Sequence, residues 1–155
     1  MSETSFRSVV HLFQHRVESS ADREAMSGRH GGQWYSLTWR QAAERVRAVA
    51  CGLLSLGLQK GDRAAILATS SPEWVIADLG ILSAGGATST IYTSNTAEES
   101  AYILENSGAR FCFVENPVQE AKVREVKDQI GSVEHLILMD GAPVAPEAND
   151  GWTIP

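Results

Sequence analysis

Several features are scarce or missing in this chain of 155 residues, and each absence excludes a class of protein. No apolar run approaches the ~20 residues that span a bilayer. The N-terminal stretch MSETSFRSVV lacks the charged start, apolar middle and small-residue cleavage site of a secretory signal. Basic residues number 13 against 19 acidic ones, a formal net charge of −6, so no nucleic-acid partner is expected.

Cysteine is also scarce, with only Cys51 and Cys112. Both fall inside apolar segments, one with a helical pattern and one with a strand pattern. We therefore predict two buried, reduced thiols and a cytoplasmic location. A disulfide between the two cysteines has no support in the sequence.

The motifs of several common active sites are missing as well. Neither GxSxG nor CxxC occurs. His11 and His15 lie four apart on a predicted helix and could share a metal, but no third ligand lies near them in sequence. We interpret this pair as structural or exposed, and we assign no catalytic, cofactor-binding or metal-binding residue.

What the chain does have is the composition of a globular domain, 43% apolar and 21% charged. The spacing predicts a first helix over 5–19, and two strands around a turn at 29–32. A second helix starts at Thr38, where TWRQ forms a capping box with Gln41, and stops at Gly57. Its predicted buried face is Ala42, Ala43, Val46, Val49, Ala50, Leu53 and Leu54.

A repeating strand and helix pattern follows from residue 63 onward. Strands are predicted at 63–68, 87–91, 110–114 and 135–139, and helices at 72–84, 97–107 and 117–130. Such βαβ units predict an α/β fold with a parallel sheet of at least four strands and helices on both faces. The helix over 72–84 is apolar nearly all round, so we expect it to be sandwiched, and in so short a chain this hints at a missing second layer.

The junction between the first of these strands and its helix, ATSSPE, is where many α/β proteins hold a phosphate. This junction has no glycine and no following lysine. Pro72 removes an amide, and Glu73 places a negative charge where an anion would bind. We therefore predict that Ser71 caps the helix and that no phosphate binds here.

The hydroxyl-rich loop TSTIYTSNT, at the end of the next strand, is a second candidate site. Thr90, Tyr92 and Thr93 lie at the carboxyl end of a parallel strand, where such folds bind ligands. A strand end followed by a helix cap at Thr96 explains the same residues without any ligand.

The motif order is distinctive over one continuous span: a Thr-Trp helix start, then LGLQKGDRAAIL, SPEW, ILSAG and AYILENSGA. In this order the stretch 35–115 resembles the N-terminal region of acyl-CoA synthetases in the adenylate-forming superfamily, most closely the long-chain fatty acid branch. Trp74 and Tyr92 match family positions, whereas Thr88, Thr90 and Thr93 stand where the family usually has apolar residues and prolines.

The resemblance implies that 1–155 is a single N-terminal subdomain of a larger AMP-binding domain. The stretch 141–155, which is rich in Pro, Gly and Asp, is predicted to be a loop or tail. It implies ATP, Mg2+ and coenzyme A for an intact parent, with none of the phosphate-binding or catalytic motifs in this chain. The implied partner is the catalytic half of the same fold. A homodimer covering exposed apolar surface, and peripheral membrane contact of the parent, are further expectations.

Two alternatives stay open at this point. One is a stand-alone flavodoxin-like module that binds a flavin or nucleotide, and the other is a non-enzymatic interaction domain. Flavin colour or nucleotide-induced thermal stabilisation would favour the first. An aryl- or amino-acid-activating relative also stays open, because the residues that select the acyl group lie outside this chain.

Overall fold

A computed structural model describes residues 6–139 and 152–154 of the chain. The described helices are α1 Val9–Ser20, α2 Trp39–Ser55, α3 Pro72–Ser83, α4 Ala97–Ser107 and α5 Pro117–Glu125. The described strands are β1 Glu24–His30, β2 Gln33–Thr38, β3 Arg63–Leu67, β4 Ala87–Ile91, β5 Ala109–Val114, β6 His135–Leu138 and β7 Thr153–Ile154. None of these helices is both long and apolar enough to cross a membrane.

Five parallel strands form the central sheet, in the order β4-β3-β5-β6-β7. The predicted α/β class, the parallel sheet, the N-terminal helix and the hairpin are all confirmed. The hairpin β1–β2 is a separate antiparallel pair, and it turns at Gly31 and Gly32, both with positive φ. Such φ values are open to glycine at little cost, as the sequence pattern predicted.

One face of the sheet is covered by α4 and α5. Alternate residues of β3 and β5 point to this face, among them Leu67 and Val114, because successive side chains of a strand lie on opposite sides. They pack with Leu104 of α4 and Val123 of α5, all fully buried. Trp152, next to β7, belongs to the same core.

The opposite face of the sheet is covered by α3, which is itself covered by α2. Ala77 and Ile81 of α3 pack on the sheet, whereas Ile76 and Leu79 pack toward α1, α2 and the hairpin. The expectation that α3 is sandwiched is therefore confirmed. The layer that seemed to be missing is supplied by α1, α2 and the hairpin of this same chain.

Several details differ from the sequence prediction. Helix α5 ends at Glu125, and the rest of the predicted 117–130 helix is a 3-10 turn at Lys127–Gln129 and a loop. A short strand, β7, pairs with β6 near the C-terminus. The rest of the predicted tail over 141–155 lies outside the described residues, as does the predicted helix start at residue 5.

Two predictions of burial were wrong. Cys51 and Leu54 are exposed, because the apolar stripe of α2 runs through Ala42, Val46, Ala50 and Leu53, and these two residues lie to the side of it. Of the apolar residues of α1 only Phe13 is buried, and Val9 is 59% exposed. Helix α1 therefore touches the body of the protein along a narrow line.

Candidate functional site

A groove lies at the carboxyl ends of β3, β5 and β6, where the hairpin packs over the start of α3. Its volume is about 780 Å³. One wall is the hairpin, and the other is the junction 69–73 between β3 and α3. Gly28 makes the close approach possible, because a Cβ atom there would lie 2.6 Å from the Tyr35 hydroxyl and 2.9 Å from Cδ of Pro72.

A polar cluster closes one end of this groove. The Tyr35 hydroxyl donates a 2.5 Å hydrogen bond to the carboxylate of Glu73, and Arg45 of α2 lies 3.8 Å from that carboxylate. Burial, then the hydrogen bond to Glu73 and repulsion by its charge, raises the pKa of Tyr35 to about 12. The cluster therefore holds the hairpin to the first turn of α3 with a neutral phenol.

The floor of the groove is formed by Glu115, which follows β5. Its two carboxylate oxygens accept a hydrogen bond from the backbone amide of Thr69 at 3.0 Å and one from the Thr69 hydroxyl at 2.8 Å. The amide of Trp74 serves the helix cap, because Ser71 Oγ accepts its hydrogen bond at 3.1 Å. The cap that the sequence predicted at Ser71 is confirmed.

The polar groups around this junction are bonded within the chain, whereas a phosphate site needs free amides or cations. The Thr69 amide binds the carboxylate of Glu115, and the Trp74 amide serves the cap. Arg45 lies 3.8 Å from the carboxylate of Glu73, and Arg29 donates to the carbonyl of Gly32 at 3.0 Å. The lining of the groove carries the negative charges of Glu73 and Glu115 and the positive charges of Arg29 and Arg45. The polar groups of the groove bond to one another, and these bonds hold the hairpin to the start of α3 and the β3–α3 junction to the residue after β5.

The second candidate loop lies elsewhere on the carboxyl edge of the sheet. Thr90 is exposed near the end of β4, Tyr92 is 79% exposed and Thr93 is half-buried, and none of the three lines the groove. Lys122 of α5 ties this loop down, donating to the carbonyls of Thr93 at 2.7 Å and Asn95 at 2.8 Å. A ligand role for the three residues stays a prediction.

The histidines and thiols take ordinary positions. His11 and His15 are both exposed and pack against the ring of Phe6. Over 6–139 and 152–154, no group of three His, Cys, Asp or Glu side chains could hold a metal. Cys51 and Cys112 are both free thiols, and burial raises the pKa of Cys112 to about 12, which makes that thiol unreactive.

Sequence reasoning missed the groove because its contacts join distant positions. Tyr35 and Glu73 are 38 residues apart, and Thr69 and Glu115 are 46 apart. A carboxylate after a buried strand was visible at position 115, but no local pattern indicates that it turns back onto the loop of the neighbouring strand. Gly28, which carries the close approach, looks like any strand glycine.

The described residues form a parallel α/β domain with a polar groove at the carboxyl edge of its sheet. The family model described as AMP-binding enzyme matches residues 13–153. The chain therefore belongs to the AMP-binding enzyme family.

Several curated relatives of this chain are long-chain-fatty-acid--CoA ligases. A long-chain-fatty-acid--CoA ligase of Xenopus laevis, ACSBG2, is 37% identical over 81% of this chain, and the match spans 17% of that protein. An uncharacterised protein of Mycobacterium tuberculosis, Rv1549, is 31% identical over 80% of this chain and 69% of its own length. The chain thus matches an N-terminal part of AMP-binding acyl-CoA ligases, and the stand-alone flavodoxin-like alternative is not favoured.

A solved structure gives the same fold. The N-terminal domain of FACL13 from Mycobacterium tuberculosis superimposes with a TM-score of 0.78 at 24% identity, covering 87% of this chain and 34% of that one. At this identity the match bears on the fold alone. The chain spans less than a fifth of the length of the Xenopus relative, so the activity of a whole ligase is a matter of proposal.

Proposed function

We propose that this chain is the structural N-terminal subdomain of an ATP-dependent long-chain fatty acid–CoA ligase. The observation that carries the proposal is the AMP-binding match over 13–153, together with a relative that is a long-chain ligase at 37% identity. In the reaction, the fatty acid carboxylate attacks the α-phosphate of ATP and releases pyrophosphate. The thiol of coenzyme A then displaces AMP from the acyl-adenylate.

In this proposal the chain has a structural role: the catalytic part of the ligase packs against it, and the chain itself performs no chemical step. Phosphoryl chemistry needs preorganised donors and Mg2+ on the phosphates. In the groove, the Thr69 amide and the carboxylates of Glu73 and Glu115 are already hydrogen-bonded within the chain, so they are not free to hold Mg-ATP. The groups that bind ATP, Mg2+ and coenzyme A therefore belong to the rest of the ligase fold.

The partner of this chain in the proposal is the catalytic part of the same ligase fold. The exposed apolar side chains of α1, among them Val9 and Leu12, together with Trp34 of the hairpin, are surfaces that a partner would cover. We place the protein in the cytoplasm, which the two free thiols support, with peripheral membrane contact reserved for the assembled ligase.

The test is enzymatic and uses the purified 155-residue chain beside a full-length long-chain ligase as positive control. We expect no ATP–pyrophosphate exchange and no fatty acyl-CoA above background, and no thermal stabilisation by Mg-ATP. Thioester formation that depends on ATP and this chain alone would show that the assignment of a purely structural role is wrong. Bound flavin would instead revive the flavodoxin-like alternative.

A further inference from the structure

We draw no further inference here: the strongest candidate, the surface patch of exposed Tyr92 and Val118 beside the loop that Lys122 holds at the carboxyl edge of the sheet, carries no proposal because nothing in the structure shows what covers it.

Discussion

Arg110 shows how much one side chain can join at the amino edge of the sheet. Its guanidinium forms two hydrogen bonds with Glu134, at 2.8 and 2.7 Å, and it also donates to Asp62 and to the carbonyl of Gly57 at 3.2 Å. The side chain is 28% exposed, so these bonds are partly shielded from water. Strand β5 is thereby tied to the turn before β3 and to the segment before β6.

We predict that Arg110→Met lowers the free energy of unfolding by about 2 kcal/mol, because charged hydrogen bonds are lost and two carboxylates lose their partner. Arg40→Met is the matched control. It removes an ion pair with Asp22 in which both side chains are more than half exposed, so it should cost at most about 1 kcal/mol. Urea unfolding at pH 7 measures both, and equal losses would contradict the prediction.

We also predict that the stability contributed by Arg110, Asp62 and Glu134 depends on pH in the acid range. Arg110 lowers the pKa of Glu134 from its usual 4.5, and the Gln59 amide followed by Arg110 lowers that of Asp62 from 3.8. Lowered values mean that this stability is present above about pH 4.5 and is lost as the pH falls through the folded-state pKa values. The difference between wild type and Arg110→Met should therefore shrink below that pH.

For Tyr35 we predict a loss of stability at high pH. Its pKa is raised to about 12, so the stability linked to the neutral phenol is present below pH 10 and is lost as the pH rises from 10 to 12. Tyr35→Phe removes the hydrogen bond to Glu73, which costs about 1 kcal/mol at pH 8, and removes this alkaline loss. Urea unfolding at pH 8 and pH 11 tests it; an unchanged alkaline slope in the variant would contradict it.

At the scale of elements, the contact between α2 and α3 depends on one missing methyl group. A Cβ atom at Gly80 would lie 2.5 Å from Cγ1 and 2.7 Å from Cβ of Val49, closer than real contacts allow. We predict that Gly80→Ala costs about 1–3 kcal/mol through overpacking. Thermal or urea unfolding gives the value, and Val49→Ala in the same chain should recover part of it.

Gly52 of α2 is the matched control for that substitution. It is also a glycine inside a helix, but nothing lies within 4 Å of a Cβ atom built there. Gly52→Ala should therefore stabilise the protein by up to about 1 kcal/mol through the helix propensity of alanine. A loss at Gly52 as large as that at Gly80 would show that the cost is not a packing cost.

The elements that the sequence predicted best are those whose signals are local. Ser71 and Thr96 each accept a hydrogen bond from the amide three residues ahead, and each was predicted as a cap from the residues around it. The burial predicted for Cys51 was wrong for a local reason too. Cys51 follows the buried Ala50, and one position along a helix turns a side chain by 100°. The Tyr35–Glu73 and Thr69–Glu115 contacts were beyond reach, because only the folded topology brings those positions together.

At the scale of the whole molecule, the chain is one stack of layers: α4 and α5, the sheet, α3, and then α2 with α1 and the hairpin. Each internal layer is apolar on both sides, which explains the near-continuous apolar pattern of β3, β5 and α3. The polar groove lies at the rim of this stack. The rim is therefore where further polypeptide can be added without disturbing the core.

Trp152 is part of the core between the sheet and helices α4 and α5. Its side chain is 8% exposed, its indole N–H donates to the carbonyl of Val133 at 2.9 Å, and it packs in the core under α4 and α5. We predict that Trp152→Ala lowers the free energy of unfolding by about 3 kcal/mol, because a large buried aromatic leaves a cavity. Trp34→Ala, at a site 76% exposed, should cost under about 0.5 kcal/mol. Urea unfolding followed by circular dichroism compares them, and a Trp152 loss no larger than that of Trp34 would mean that β7 is not part of the cooperative core.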